Sequence, residues 1–210
     1  MYYAGQGVRQ SYEDAARWLS LAAAQGHAIG SYMLGLLYAE GRGVSRDQVQ
    51  ALKWYRLAAD QGHPGAQASV ALAYLKGEGT SVDEAEAVKW AMRAAEQGHV
   101  IAQYNLGIMF ATGRGVSQNL AEAAVWYRRA AEKGYALAQS SLGLLYSQGR
   151  GLERDPVQAH FWLSLAASRG DSRAAAGLDS IRKQLSSDQI EESERLMRAW
   201  RPSSEDNKVK

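Results

Sequence analysis

The sequence predicts an all-α fold, a solenoid of 36-residue helix-turn-helix repeats closed by a C-terminal capping helix. Three observations carry this. Tryptophan falls at Trp18, Trp54, Trp90, Trp126 and Trp162, each 36 residues after the last. The helix-stopping glycines Gly26, Gly62, Gly98, Gly134 and Gly170 keep the same step. So do the glycine pairs of a second break, from Gly5 and Gly7 to Gly149 and Gly151, with no insertion disturbing the register. Periodicity of this length is the signature of an array in which each unit buries its apolar face against its neighbours.

The first helix of each unit, roughly 28–40 in the first complete copy, carries small Gly30, aliphatic Leu34 and aromatic Tyr38. Spacings of four and eight place them on one helical face. Tyr74, Phe110 and Tyr146 repeat the aromatic, and these rings with the five tryptophans are the expected repeat core. A glycine recurs beside the aliphatic, at Gly35, Gly107 and Gly143, with Ala71 in the remaining copy. Glycine there costs about 1 kcal/mol in helix propensity, so its recurrence predicts the close approach of another helix.

The second helix begins at a cap: Ser11, Asp47, Asp83, Asn119 or Asp155, whose side chains accept from otherwise unpaired amides. Three residues later Asp14, Gln50, Glu86, Glu122 or Gln158 fills the other half of a capping-box pattern. Pro156 falls at the first helical position, where proline costs least. Alanines flank the tryptophan, as at Ala51, Ala58 and Ala59, letting neighbouring helices close around the indole.

The array loses its pattern at its end. Asp179 and Arg182 stand where a small and an aromatic residue are expected, and a terminal repeat needs a face that tolerates water. Ser186 with Gln189 then starts a helix over 187–200, with Ile190, Leu196, Met197 and Trp200 against a charged face. The expected organisation is therefore a partial repeat over 1–27 and four complete repeats at 28–63, 64–99, 100–135 and 136–171. A degenerate repeat and capping helix occupy 172–200, with Trp200 closing the last core, and a disordered tail covers 201–210. Met1 aligns with Leu37, so the chain opens inside a first helix, which reads as a segment of a longer protein.

The order A-x-x-x-L-G-x-x-Y-x-x-G-x-G-V-x-x-D-x-x-x-A-x-x-W-Y-x-x-A-A-x-x-G resembles the Sel-one-like repeat, a relative of the tetratricopeptide repeat, over residues 2 to about 176. The resemblance implies a right-handed superhelix, first helices lining its concave side, and a partner segment bound there. It also implies roles as adaptor or assembly factor, in bacterial envelope biology among others, so that a periplasmic or secreted place is favoured over the cytoplasm. On that analogy the variable first-helix residues Tyr32, Met33, Glu40, Tyr104, Asn105, Ser140 and Ser141 are the candidate partner-binding positions. Tyrosine suits such a surface, offering rigid apolar area with a polar tip. The lysine and asparagine clamp by which some tetratricopeptide relatives hold a C-terminal carboxylate is not recognisable.

Other function classes find little support. A net charge of +2 without a Lys/Arg run does not argue for nucleic acid or an anionic membrane, and no apolar stretch reads as a membrane span. The chain has no cysteine, which excludes disulfides and thiol chemistry. His27, His63 and His99 share one repeat position. Equivalent helices pack about 8–10 Å apart, too far for residues in register to share a zinc ion at about 2.0–2.1 Å, so a structural role is expected, as it is for His160. The GRG triplets lack the lysine and preceding strand of a phosphate loop. The arginine column Arg42, Arg114 and Arg150 reads as solvated loop charge, with an acidic partner as the sharper alternative. No cofactor or metal is expected, and the leading reading is a monomeric, non-enzymatic scaffold for another protein. The rivals are a regulatory or targeting arm of a larger protein, and a groove for carbohydrate or peptidoglycan fragments.

Overall fold

The structure, a computed structural model, describes residues 2–203, and the described residues form eleven α-helices. They fall into two compact units, Met1–His99 and Val100–Lys210.

The first unit holds α1 (Tyr12–Ala24), α2 (Ala28–Glu40), α3 (Gln48–Asp60), α4 (Pro64–Lys76) and α5 (Glu84–Glu96). Consecutive helices pack as antiparallel neighbours, α2 on α3 and α4 on α5 being the most extensive contacts. Each second helix starts as expected: the Ser11, Asp47 and Asp83 side chains accept from the backbone N–H three residues on. The reciprocal half of the capping box is replaced at Glu86, whose carboxylate pairs with Lys89 at 2.9 Å instead. Each second helix ends in the same pair of bonds. In α1 the Gly26 N–H donates to Ala23 and the His27 N–H to Ala22, and in α3 Gly62 and His63 repeat this with Ala59 and Ala58. The glycine takes φ +83° and +89°, which an L side chain resists.

The break between first and second helix is a closed loop. The capping residue donates its own N–H to the carbonyl of the column aromatic, Asp47 to Tyr38 and Asp83 to Tyr74, and Ser11 does so to Tyr2. The second glycine of each pair lies flat on the start of the preceding second helix. A Cβ on Gly43 would sit 2.2 Å from the Tyr12 carbonyl, and one on Gly79 2.2 Å from that of Gln48.

The second unit holds α6 (Val100–Thr112), α7 (Leu120–Glu132), α8 (Ala136–Gln148), α9 (Pro156–Ala167), α10 (Ser172–Arg182) and α11 (Ser187–Ala199). Asn119 and Asp155 cap α7 and α9 as their counterparts do. Both halves of the capping box form at α11, between Ser186 and Gln189. Leu163 and Ile181 anchor the last core with Ala159, Ala166 and Ala174, and Leu178 packs at its edge.

The glycine inside the first helix meets the partner that its recurrence predicts. A Cβ on Gly35 would lie 2.6 Å from the Tyr55 ring, one on Gly107 2.6 Å from Tyr127, and one on Gly143 2.8 Å from Leu163. In the remaining copy, 64–99, the pair at the same spacing is Ala71 and Ala91, 4% and 2% exposed. Large against none and small against small fill the same space.

Three expectations are corrected. Trp90, Trp126 and Trp162 are buried and Trp54 half-buried, but Trp18 is 61% exposed. No described helix lies on the N-terminal side of α1 to cover its indole. Phe110 is buried, whereas Tyr38, Tyr74 and Tyr146 are half-buried. The Tyr146 hydroxyl accepts from Arg128, and the Arg56 guanidinium lies 5.9 Å over the face of the Tyr74 ring, so each of these two rings meets a cation. Trp200 does not seal the last core. It is half-buried under the Arg169 guanidinium at 4.9 Å, and α11 instead buries Ser193. Of the tail, Ser203 donates its N–H to Glu132 at 2.8 Å, and residues 204–210 lie outside those described.

Candidate partner-binding surface

Each first helix turns one stripe outward. On α2 it runs through Ile29, Met33, Leu36 and Glu40, at spacings of four, three and four that keep it on one face. Ile29 is 66% exposed, Met33 and Leu36 are half-buried, and Glu40 pairs with Arg42 at 2.9 Å. On α4 the stripe reads Gly65, Ser69, Leu72 and Lys76, with Leu72 39% exposed. In the second unit it reads Ile101, Asn105, Ile108 and Thr112 on α6, then Leu137, Ser141, Leu144 and Gln148 on α8. Ile101 and Leu137 are exposed, while Asn105, Ile108, Ser141 and Leu144 are half-buried. The stripe carries aliphatics at its first position in three of the four helices and at its third in all four, a variable residue between them, and a polar residue at its C-terminal end.

Met33, Glu40, Asn105 and Ser141 are thus on the open stripe. Tyr32, Tyr104 and Ser140 belong to the neighbouring column, which turns toward the following helices. The Tyr32 ring stacks at 4.6 Å on His63 and 5.9 Å on Tyr55. Tyr104 is 9% exposed, its ring 5.8 Å from Tyr127 and 5.1 Å from Tyr135. Ser140 is 1% exposed. Tyr104 and Ser140 are therefore interior residues, not surface for a partner: the Tyr104 ring packs on Tyr127, and the Ser140 hydroxyl is buried without a hydrogen-bond partner among the described residues. Burial pushes the Tyr127 hydroxyl up to about 12, with Tyr104 adding to it, and raises Tyr55 and Tyr135 too, so these remain neutral phenols.

In the histidine column, His63 and Asp171 cap the following helix, whereas His27 and Tyr135 make no side-chain cap bond. His63 Nδ1 accepts from the Ala66 N–H at 3.1 Å, and Asp171, in the same column, accepts from Ala174 at 3.0 Å. Burial holds the His63 imidazole below its ordinary value, as fits a ring that must be neutral to accept. Among the described residues no group of three or more His, Cys, Asp or Glu is placed to hold a metal, and no helix is long and apolar enough to cross a membrane.

The reading of the sequence missed a buried glutamine column. Gln67 Nε2 donates to the last-turn carbonyl of Ala59 at 3.2 Å and its Oε1 accepts from Gln97 at 2.7 Å. Gln139 does the same with Ala131 at 3.1 Å and Arg169 at 2.8 Å. Each ties the end of the preceding helix to the end of the following one, adding a side-chain donor to a carbonyl that already accepts from the turn glycine. The signal was the Ala-Gln pair that recurs at 66–67, 102–103 and 138–139. The outward aliphatics Leu36, Leu72 and Ile108 also escaped notice as surface, because they lie two residues beyond a true core position.

Capped helix pairs at a fixed step, locked by glycine against ring, define a helical-repeat protein. The chain belongs to the Sel1 repeat family, whose model matches residues 1–27, 28–63, 64–99, 100–135 and 136–171. Proteins of this family generally mediate protein–protein interaction through a non-catalytic repeat scaffold. The chain is similar to the crystal structure of a protective antigen of uropathogenic Escherichia coli strains that displays an SLR fold. Identity is 37% and the TM-score 0.86, over 94% of this chain and 43% of that one. It is also similar to a Sel1 repeat protein from Oxalobacter formigenes, at 33% identity and TM-score 0.79, over 94% of this chain and 83% of that one. The chain thus spans less than half the length of the E. coli antigen structure. Among curated proteins no sequence matches it.

Proposed function

We propose that the chain is a protein-interaction scaffold, acting as a monomer, which seats a segment of a partner protein along the outward stripe of its first helices, on the concave side expected of such repeats. The observation that supports this is the exposure of Ile29, Leu72, Ile101 and Leu137 at stripe positions of four successive first helices. Packing within a repeat leaves these side chains unused, while polar Glu40, Lys76, Thr112 and Gln148 border them. Exposed aliphatics with polar side chains at the edge of the same stripe are the material of a protein interface. The frame supplies rigidity, so a partner segment bears the ordering cost and the scaffold bears little. The stripe's composition differs from copy to copy, Met33 against Ser69, Asn105 and Ser141, which gives each position its own preference for a partner side chain.

The test compares aspartate substitutions on the stripe with equally exposed apolar residues off it. Ile29→Asp with Leu72→Asp should lower partner affinity at least about 30-fold, as loss of an interface anchor worth about 2 kcal/mol would. Val49→Asp with Val82→Asp, 62% and 58% exposed in the native chain, should leave it unchanged. Equal losses in both pairs would refute the assignment.

A further inference from the structure

Each second helix has two outward positions one turn apart. These are Lys53 and Leu57 on α3, Lys89 and Arg93 on α5, and Val125 and Arg129 on α7, and all six are exposed. On α9 the same positions hold Phe161 and Leu165, 6% and 7% exposed. The element packed on α9 besides its repeat neighbours α8 and α10 is α11. Its seat is shallow: Ile190, Leu196 and Met197 are only half-buried, and the one fully buried residue of α11 is Ser193. Ser193 Oγ lies 2.8 Å from His160 Nδ1, and His160 is 3% exposed. Where His160 stands, the other copies have Ala16, Leu52, Val88 and Ala124, so the polar group enters this column only where α11 docks. His160 Nε2 is buried without a hydrogen-bond partner among the described residues.

We propose that the His160–Ser193 contact is an acid-sensitive latch: protonation of the imidazole releases α11 from α9 and uncovers Phe161 and Leu165. The neutral ring has a good bond to Ser193 in either tautomer, donating from Nδ1 or accepting the serine proton there. The imidazolium carries N–H groups on both nitrogens, leaving a buried donor at Nε2 unpaired and a charge among apolar residues. The charged groups that face the ring are Arg182 of α10, which opposes protonation, and Glu194 of α11, which favours it. Neither α8 nor α9 carries another ionised side chain, Tyr146 being the sole other titratable group on them. Burial acts first and Arg182 second to hold the ring below its ordinary value, so docking is complete above the usual imidazole range and weakens as pH falls through it.

Because the chain has no cysteine, a single spin label can be placed on exposed Glu191 of α11 through Glu191→Cys, with Lys89→Cys as the reference site. Between pH 8 and pH 5 the label at 191 should gain mobility reversibly while that at 89 does not. In His160→Asn, a neutral amide able to bond Ser193, the label at 191 should stay unchanged throughout. Arg182→Gln should move the midpoint up and Glu194→Gln should move it down, each by about half a pH unit. Constant mobility at 191, simultaneous change at both sites, or the same transition in a folded His160→Asn protein would overturn the latch. If His160→Asn fails to fold, unmoved midpoints in the two charge variants overturn it instead.

Discussion

Substituting Gly107 by alanine should destabilise the second unit, although alanine is the better helix former. A Cβ at this position would lie 2.6 Å from Cδ1 and Cε1 of Tyr127 and 3.2 Å from Cγ. The ring cannot swing away, since Tyr127 is 6% exposed and held against Tyr104. Overpacking of this kind costs about 1–3 kcal/mol, against about 1 kcal/mol gained in helix propensity. The net change is a loss of up to about 2 kcal/mol. In a Tyr127→Ala background, itself costing about 3–5 kcal/mol, the obstacle is gone and the same Gly107→Ala should stabilise by about 1 kcal/mol. The chain already contains that solution, in Ala71 and Ala91. Melting followed by far-UV circular dichroism resolves this change of sign, at about 2–4 °C per kcal/mol for a protein of this size. A Gly107→Ala effect of the same sign and size in both backgrounds would refute the glycine-and-ring account of repeat packing.

The same melts test three further outcomes. Trp90→Ala should cost about 3–5 kcal/mol, whereas Trp18→Ala, at a residue 61% exposed, should cost less than about 1. Gly62→Ala should cost only the left-handed backbone strain of about 1–2 kcal/mol, because nothing lies within 4 Å of its Cβ position. Gly79→Ala should cost clearly more, as its Cβ would meet the Gln48 carbonyl at 2.2 Å. The His63 cap requires a neutral ring whose folded value is depressed. Its contribution is therefore present above the ordinary imidazole value of about 6.5 and lost as pH falls below it through the depressed folded value. His63→Asp, which caps as Asp171 does, should soften the loss of melting temperature between pH 7.5 and pH 5.5, and an unchanged pH profile would contradict the capping role.

The fold was legible because its determinants are local and written five times. Asp47 must cap, Gly62 must turn left-handed, and Gly35 must admit a ring, and each copy corroborates the others. The binding surface was less legible for a geometric reason. Tyr32 and Met33 are adjacent in sequence and both variable, yet a helix turns them about 100° apart, one toward His63 and the other outward. Variation among copies marked both columns alike, since interior residues vary too, as Tyr104, packed on Tyr127, and buried Ser140 do. The exposure of Trp18 was hidden by periodicity itself, which assigns every member of a column the same surroundings although the first has no described helix on its N-terminal side. The role of His160 was hidden because its partner Ser193 is 33 residues away, beyond the repeat.

The central claim, that partner binding resides on the outward stripe of the first helices, is tested most directly by site-specific photocrosslinking in cells. A photoreactive amino acid would be placed in turn at Met33, Asn105 and Ser141 on the stripe, and at Lys53 and Val125 on the second helices. The account predicts covalent adducts with one partner protein from the three stripe positions and none with that partner from the other two. Adducts from Lys53 and Val125, with none from the stripe, would contradict it.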